Sequence, residues 1–362
     1  MRYLQPLLIA LLAATGCKQF DTVDDACKDK VPGEKWTEPL DRAAIQRINC
    51  YRRVTGMAQM GFQEQLQEAT VAHVEYVMAN GGISDGTWYT GGETQGNIGF
   101  TGEDLFARLA AADFPFEANK FGIWQFLWVD QFLGPDRVDF WFPDPWVREA
   151  YLQPSARLAG YSGAASTDSY PGFEDEEFYF AYMTLMYDIP TTEGGGKPFV
   201  YPKDGQLDID SLYIDSDPAS PVTPMGRVGF PITLSAGGVT SLVVKESRLV
   251  GPDGNVETTS FPVGTFGGSA GTLQNTAFIL PNEELTPDAD YTFTASVETE
   301  LGSLDVESNF HVSKTNSRPS YPLYTQNIPT TTTGDPTPGT TPPTQRFKPL
   351  FYAHHTVIGV DD

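Results

Sequence analysis

A chain of 362 residues is long enough for two domains with sizeable cores, and a hydrophobic share of 40% excludes a wholly disordered protein. Lys and Arg number 23 against 47 Asp and Glu, a formal net charge of -24, so phosphate backbones are repelled on average and nucleic-acid binding is excluded as a function. The one long apolar run opens the chain, where Arg2 precedes Leu4, Leu7, Leu8, Ile9, Leu11 and Leu12. That run is shorter than the ~20 residues a membrane-spanning helix needs. It reads as a signal peptide over residues 1–16, and the mature chain is expected to be exported.

Ala14-Thr15-Gly16-Cys17 resembles the bacterial lipobox, with Ala14 where leucine is usual. The resemblance implies a lipid on Cys17 and attachment to a bacterial membrane. Lys18 follows, without the aspartate that often retains lipoproteins at the inner membrane; the outer membrane or cell surface is favoured, and Lys18 by itself does not decide between the membranes. A soluble secreted chain cut near Ala13 is the alternative. With Cys17 lipidated, Cys27 and Cys50 remain as an even pair in an oxidising space, and a disulfide between them is expected. It closes a loop worth ~3 kcal/mol on the entropic account. Two unpaired thiols are the alternative.

Residues 17–38 are polar and read as a tether between lipid and domain. Leu40, Ala44, Ile48, Tyr51 and Val54 then recur at helical spacing, with Asp41 as a cap and Gly56 as the stop. A second helix is predicted from Glu64 to Asn80, ended by Gly81-Gly82, and a third follows Gly102 through Leu105, Phe106 and Leu109. Ile123 to Leu133, dense in Trp and Phe, reads as helical and is broken by Gly134-Pro135. The aromatic, uncharged stretch from Phe178 to Tyr187 reads as a central strand covered on both faces. Residues 191–202 form a linker, after which helical periodicity disappears. Val239 to Val250, Ala277 to Leu280, Tyr291 to Val297 and Leu304 to Val312 read as strands, so 203–313 is expected to be a β-sandwich. Residues 314–346 are a Thr/Pro-rich linker, and the C-terminal segment 347–362 carries an apolar piece suited to dock as an added strand.

The first domain resembles a known family on motifs taken together. INCYRRVTGM followed by LQEATVAHVEYVMANGG supplies Asn49, Arg52, Gly56, Ala69 or Ala72, and His73. FTGEDLFARLAAADF supplies Phe100, Thr101, Gly102, Arg108, Ala111 and Ala112; FWFPDPWVREAYLQPSARLAGY supplies Trp141, Pro145, Arg148, Pro154, Gly160 and Tyr161. In this order they are similar to the CAP superfamily (cysteine-rich secretory, antigen 5 and pathogenesis-related, or SCP-like) in its bacterial branch. YPKDGQLDIDSLYIDSDPASP with VGFPITLS is similar to the connector and first strand of the β-domain that follows some bacterial CAP domains. The resemblance implies an α+β fold class, a three-layer α-β-α CAP-like sandwich over residues 39–190 followed by an Ig-like β-sandwich domain over 203–313.

The same resemblance implies a cleft in which two histidines and two acidic residues hold a divalent cation. Where the pattern carries its first cleft histidine this chain has Gly92 and Glu93, and where it carries Pro-Tyr-His-Arg it has Pro145-Trp146-Val147-Arg148. The expected cleft is therefore lined by Glu93, Glu117, Trp146, Val147 and Arg148, without an imidazole pair. His73 matches a helical histidine beside the core and reads as structural. Two carboxylates alone would hold a hard cation such as calcium weakly, so no metal, no cofactor and no catalytic residue is assigned.

GGSAG at 267–271 fits G-x-S-x-G but falls in a β-domain loop. The acids of DIDSLYIDSD lack an EF-hand's ligand at Leu212 and glycine at Tyr213. His354 and His355 are adjacent, so on a strand they face opposite sides. The expectation is a non-enzymatic, lipid-anchored binding protein for an apolar ligand, a cell-wall glycan or a surface protein. The alternative is a divalent-metal hydrolase of peptide or cell-wall substrate working through Glu93 and Glu117.

Overall fold

The computed structural model describes residues 20–28, 35–80, 92–116, 121–130, 132–165, 179–188, 198–214, 227–262, 275–315 and 350–357. Cys17, Glu117 and the GGSAG loop lie outside them. The fold is mixed α and β. Among the described residues no helix is long and apolar enough to cross a membrane.

The first unit is built on a five-stranded sheet in the order β1-β3-β4-β2-β16. These are β1 (Gly61–Phe62), β2 (Phe121–Asp130), β3 (Ala156–Ala165), β4 (Tyr179–Asp188) and β16 (Leu350–Val357). β1 runs parallel to β3, and the other neighbours are antiparallel. Alternation along β4 explains why it lies centrally. Ala181, Met183, Leu185 and Tyr187 join the cluster around α2 (Pro39–Val54). Phe180 and Tyr182 point to the opposite face, with Val74 and Val77 of α3 (Glu64–Ala79). Both faces are thus apolar and both are covered by helix.

β2 corrects the sequence reading. Residues 121–130 form a strand and not a helix. Phe126 and Trp128 pack toward α2, while Ile123 and Leu127 pack toward α3 and α4 (Leu105–Ala111), a period of two hidden by bulky residues on both sides. Gly134-Pro135 does not end a helix but begins α5 (Gly134–Trp141), with proline in the first turn, where its missing N–H costs no hydrogen bond. α6 (Pro145–Tyr151) follows, with Asp144 capping the N–H groups of Trp146 and Val147.

The segment read as a tether is partly packed. Phe20, Val23, Ala26 and Trp36 are buried, and α1 (Val23–Lys28) lies against α2. Four apolar side chains in that stretch outweigh its charged neighbours. Cys27 and Cys50 form the expected disulfide across α1 and α2, with Cα atoms 5.2 Å apart.

The second unit holds a five-stranded and a four-stranded sheet, ordered β11-β10-β14-β15-β6 and β12-β13-β9-β5. The strands are β5 (Pro198–Tyr201), β6 (Gln206–Ile209), β9 (Ile232–Ala236), β10 (Leu242–Gly251), β11 (Gly254–Val256), β12 (Thr258–Pro262), β13 (Thr276–Pro281), β14 (Ala289–Thr299) and β15 (Gly302–Val312). A short ribbon of β7 (Tyr213–Ile214) and β8 (Arg227–Val228) completes it. Residues 198–201, read as linker, are a strand paired to β9.

The two units share one continuous apolar cluster. At their junction the Arg148 guanidinium donates from Nη2 to the carbonyl of Pro231 at 2.8 Å. It also lies 4.8 Å from the centroid of Phe230, 5.4 Å from Tyr201 and 5.6 Å from Phe142. A cation boxed by aromatic faces is held by their quadrupoles as well as by the hydrogen bond.

Candidate functional site

The strongest concentration of buried polar groups in the first unit sits between α3, the segment 92–102, α4 and the face of β2 and β4 that meets them. It begins with α3, whose Leu66, Ala69, Thr70, His73, Val74, Tyr76 and Val77 recur at three- and four-residue spacing and turn inward. The stripe carries His73 into the core with no exposed side-chain surface.

His73 Nδ1 lies 2.9 Å from Glu93 Oε1. Glu93 Oε2 accepts the backbone N–H groups of Thr101 at 2.6 Å and Gly102 at 3.1 Å, and the Thr101 hydroxyl lies 3.1 Å and 3.2 Å from the two oxygens. Arg108 Nε stands 3.9 Å from Oε1. Burial by itself raises the Glu93 carboxyl, but the His73 hydrogen bond and the Thr101 and Gly102 N–H groups outweigh it and keep it below the usual carboxylate range. A carboxylate at that position fixes the imidazole tautomer, with the proton on Nδ1 facing Glu93 and a lone pair on Nε2. Burial, assisted by the nearby Arg108 charge, pushes His73 down to about 4, so the ring is neutral at pH 7. Its Nε2 has no hydrogen-bond partner among the described residues.

The network continues into the sheet. Arg108 Nη2 donates to Gln125 Oε1 at 2.8 Å, Gln125 Nε2 reaches Thr184 Oγ1 at 3.4 Å, and the Thr184 and Thr70 hydroxyl oxygens are 2.9 Å apart. Tyr182 sets its ring edge-on to His73 with centroids 4.6 Å apart. Three more hydrogen bonds tie the segment 92–102 to α3 and its C-cap: Tyr76 Oη accepts from Thr94 N and Asn97 Nδ2, and Asn80 Nδ2 donates to the carbonyl of Ile98. Gly102 fits because any Cβ there would meet Arg108 N at 2.5 Å and Ala107 Cβ at 2.6 Å.

The residues expected to share a cleft are not brought together. Glu93 is buried on the α3 side of the sheet. Val147 lies in the cluster with Phe126 and Trp128 on the opposite side, and Arg148 fills the junction just described. Trp146 stacks on Phe278 of β13, with centroids 4.7 Å apart and an interplanar angle of 24°. The sheet separates the two groups, so the motif around Trp146 serves the contact between units. Asn49 and Arg52 of the first motif are structural as well. Asn49 holds the N–H and carbonyl of Met60, and Arg52 donates to the carbonyls of Ala58, Tyr151, Gln153 and Ala156. Gln125, Thr184 and Tyr182 escaped the sequence reading altogether. The one available signal was a glutamine and a threonine within otherwise apolar stretches.

Chemically, the arrangement is an imidazole oriented by a carboxylate, half of what general-base catalysis requires. Among the described residues no three His, Cys, Asp or Glu side chains are grouped so as to hold a metal ion. No protein-family model matches this chain, and no curated protein matches it.

Proposed function

We propose that the chain is an exported, lipid-anchored binding protein without catalytic activity, built from a CAP-like first domain and an Ig-like β-sandwich. The observation that carries this reading is the use of Glu93. The acidic residue standing where the family pattern carries a cleft histidine directs one oxygen to His73 and the other to Thr101 and Gly102 N–H groups. It holds a segment against a helix, and its lone pairs are engaged. Val147 and Arg148, two of the other expected cleft residues, are buried and offer no surface to a ligand. The ligand class on this reading is an apolar molecule, a cell-wall glycan or a surface protein, met by the outside of a rigid pair of domains and not by an ion-filled groove.

One observation favours the alternative, a divalent-metal hydrolase: the lone pair of His73 Nε2 is a buried acceptor without a hydrogen-bond partner among the described residues. A zinc site needs further ligands beside it, and Glu93 does not fit that role while it accepts three other groups. Calorimetric titration of the full chain carrying Cys17→Ser with zinc and with calcium tests the choice. No heat above dilution is expected. Micromolar binding abolished by His73→Ala would support the hydrolase and overturn the binding-protein reading.

A further inference from the structure

β16 is the outermost strand of the first sheet. Its 8 residues pair with β2 in unbroken antiparallel register, from Leu350 opposite Val129 to Val357 opposite Gly122. Its contacts are concentrated on β2. On its other side β2 is paired to β4 along its whole length, from Phe121 opposite Asp188 to Asp130 opposite Tyr179. β2 is therefore ordered by β4 without the tail. Remove β16, and β2 offers a row of unpaired N–H and C=O groups, a template for an extended chain.

The strand that fills this edge comes from far along the sequence. Between Val312, where β15 ends, and Leu350 runs a connection that includes the Thr/Pro-rich stretch TTTTGDPTPGTTPP. That connection, residues 313–349, can span up to ~120 Å when extended, so chain length does not dictate which copy's β2 the tail meets.

We propose that the β2 edge is a strand-accepting site, and that the outside strand it takes is residues 350–357 of a second copy, giving a strand-exchanged dimer. The pairing is the same in both states, since the same residues meet in the same register. The balance is then set by tethering. A segment on its own chain competes at an effective concentration in the millimolar range, so the closed monomer holds in dilute solution and exchange takes over where copies are crowded. The exchange does not depend on the function proposed above.

Two measurements test it. In the first, the chain carries an inserted protease site within 330–343, is cut after folding, and is challenged with a labelled synthetic peptide of residues 344–362. The labelled peptide is expected to replace the resident tail, while a peptide with Ala353→Pro and His354→Pro, which removes adjacent N–H groups pointing to opposite edges of the strand and so one donor to β2, binds at least tenfold more weakly. In the second, sedimentation of the uncut chain from micromolar to millimolar concentration is expected to show a dimer that the same two substitutions abolish. Failure of the labelled peptide to bind, equal binding of the proline peptide, or absence of a substitution-sensitive dimer at millimolar concentration would each overturn the proposal.

Discussion

His73 and Glu93 face each other across 2.9 Å inside the first unit, and neither side chain has exposed surface. The pair joins α3 to the segment that leads into α4, so its energetic role is structural before it is chemical. Glu93→Ala leaves the His73 N–H, the Thr101 and Gly102 N–H groups and Arg108 without the anion they surround. Loss of one partner from such a buried set costs about 3–5 kcal/mol. Urea unfolding of the variant should show a lower midpoint by that measure, with Glu93→Gln intermediate.

Acid should destabilise the fold through His73, because burial and the nearby Arg108 oppose a charged ring more than Glu93 favours it. Its folded value of about 4 lies below the ordinary imidazole value of 6.5, so below pH 6.5 the unfolded chain takes up a proton that the folded chain refuses. The contribution is complete above the unfolded value and declines as pH falls toward 4, by roughly 3 kcal/mol in all. Asp41, pushed up to about 7 by burial, acts with the opposite sign, so the difference between the wild type and His73→Gln is the quantity to measure. That difference should shrink steadily from pH 7 to pH 4 in parallel denaturation curves.

The disulfide between Cys27 and Cys50 spans a sequence separation of 23. Replacing both cysteines by serine should lower stability by about 3 kcal/mol, the value expected for a loop of that size. Thermal unfolding of the variant beside the oxidised chain checks it. An unchanged midpoint would mean that burial of Phe20, Val23 and Trp36 already holds the N-terminal segment in place.

Gly160 on β3 lies against α3, where an added Cβ would meet the Leu66 carbonyl oxygen and Thr70 Oγ1, each at 2.6 Å. Backbone oxygen cannot rotate away. Gly160→Ala should therefore force the helix outward and destabilise the fold by about 1–3 kcal/mol or more, seen as a reduced urea midpoint.

Arg148 ties the two units together at their junction. With its Pro231 hydrogen bond and three aromatic neighbours removed, Arg148→Ala should separate calorimetric unfolding into two transitions where the wild type shows one. Arg148→Lys should restore little, because an ammonium lacks the planar face that stacks on rings. A single unchanged transition in both variants would contradict the coupling.

Much of the secondary structure was legible from periodicity. α2, α3 and α4 follow helical spacing, β4 and β13 are continuous apolar runs, and β14 and β15 show alternation bounded by turns. β2 was misread because aromatic residues on both faces erase the alternation that marks a strand, leaving Gln125 as the one polar clue. The role of Trp146 and Arg148 was illegible for another reason. Their partners, Phe278, Phe230 and Pro231, lie in the second unit, and no local pattern announces a contact across so many residues. The pairing of β16 with β2 is of the same kind. His73 was read as a core histidine, and its Nδ1 contact agrees with that, while Glu93 as its partner required the segment 92–102 to fold back on α3.

Nitrogen-15 NMR of the His73 imidazole tests the central claim most directly. The account predicts a neutral ring at pH 7, protonated on Nδ1, whose Nε2 resonance does not move when zinc or calcium is added. A ring protonated on both nitrogens at pH 7, or an Nε2 resonance shifted by stoichiometric zinc, would contradict it.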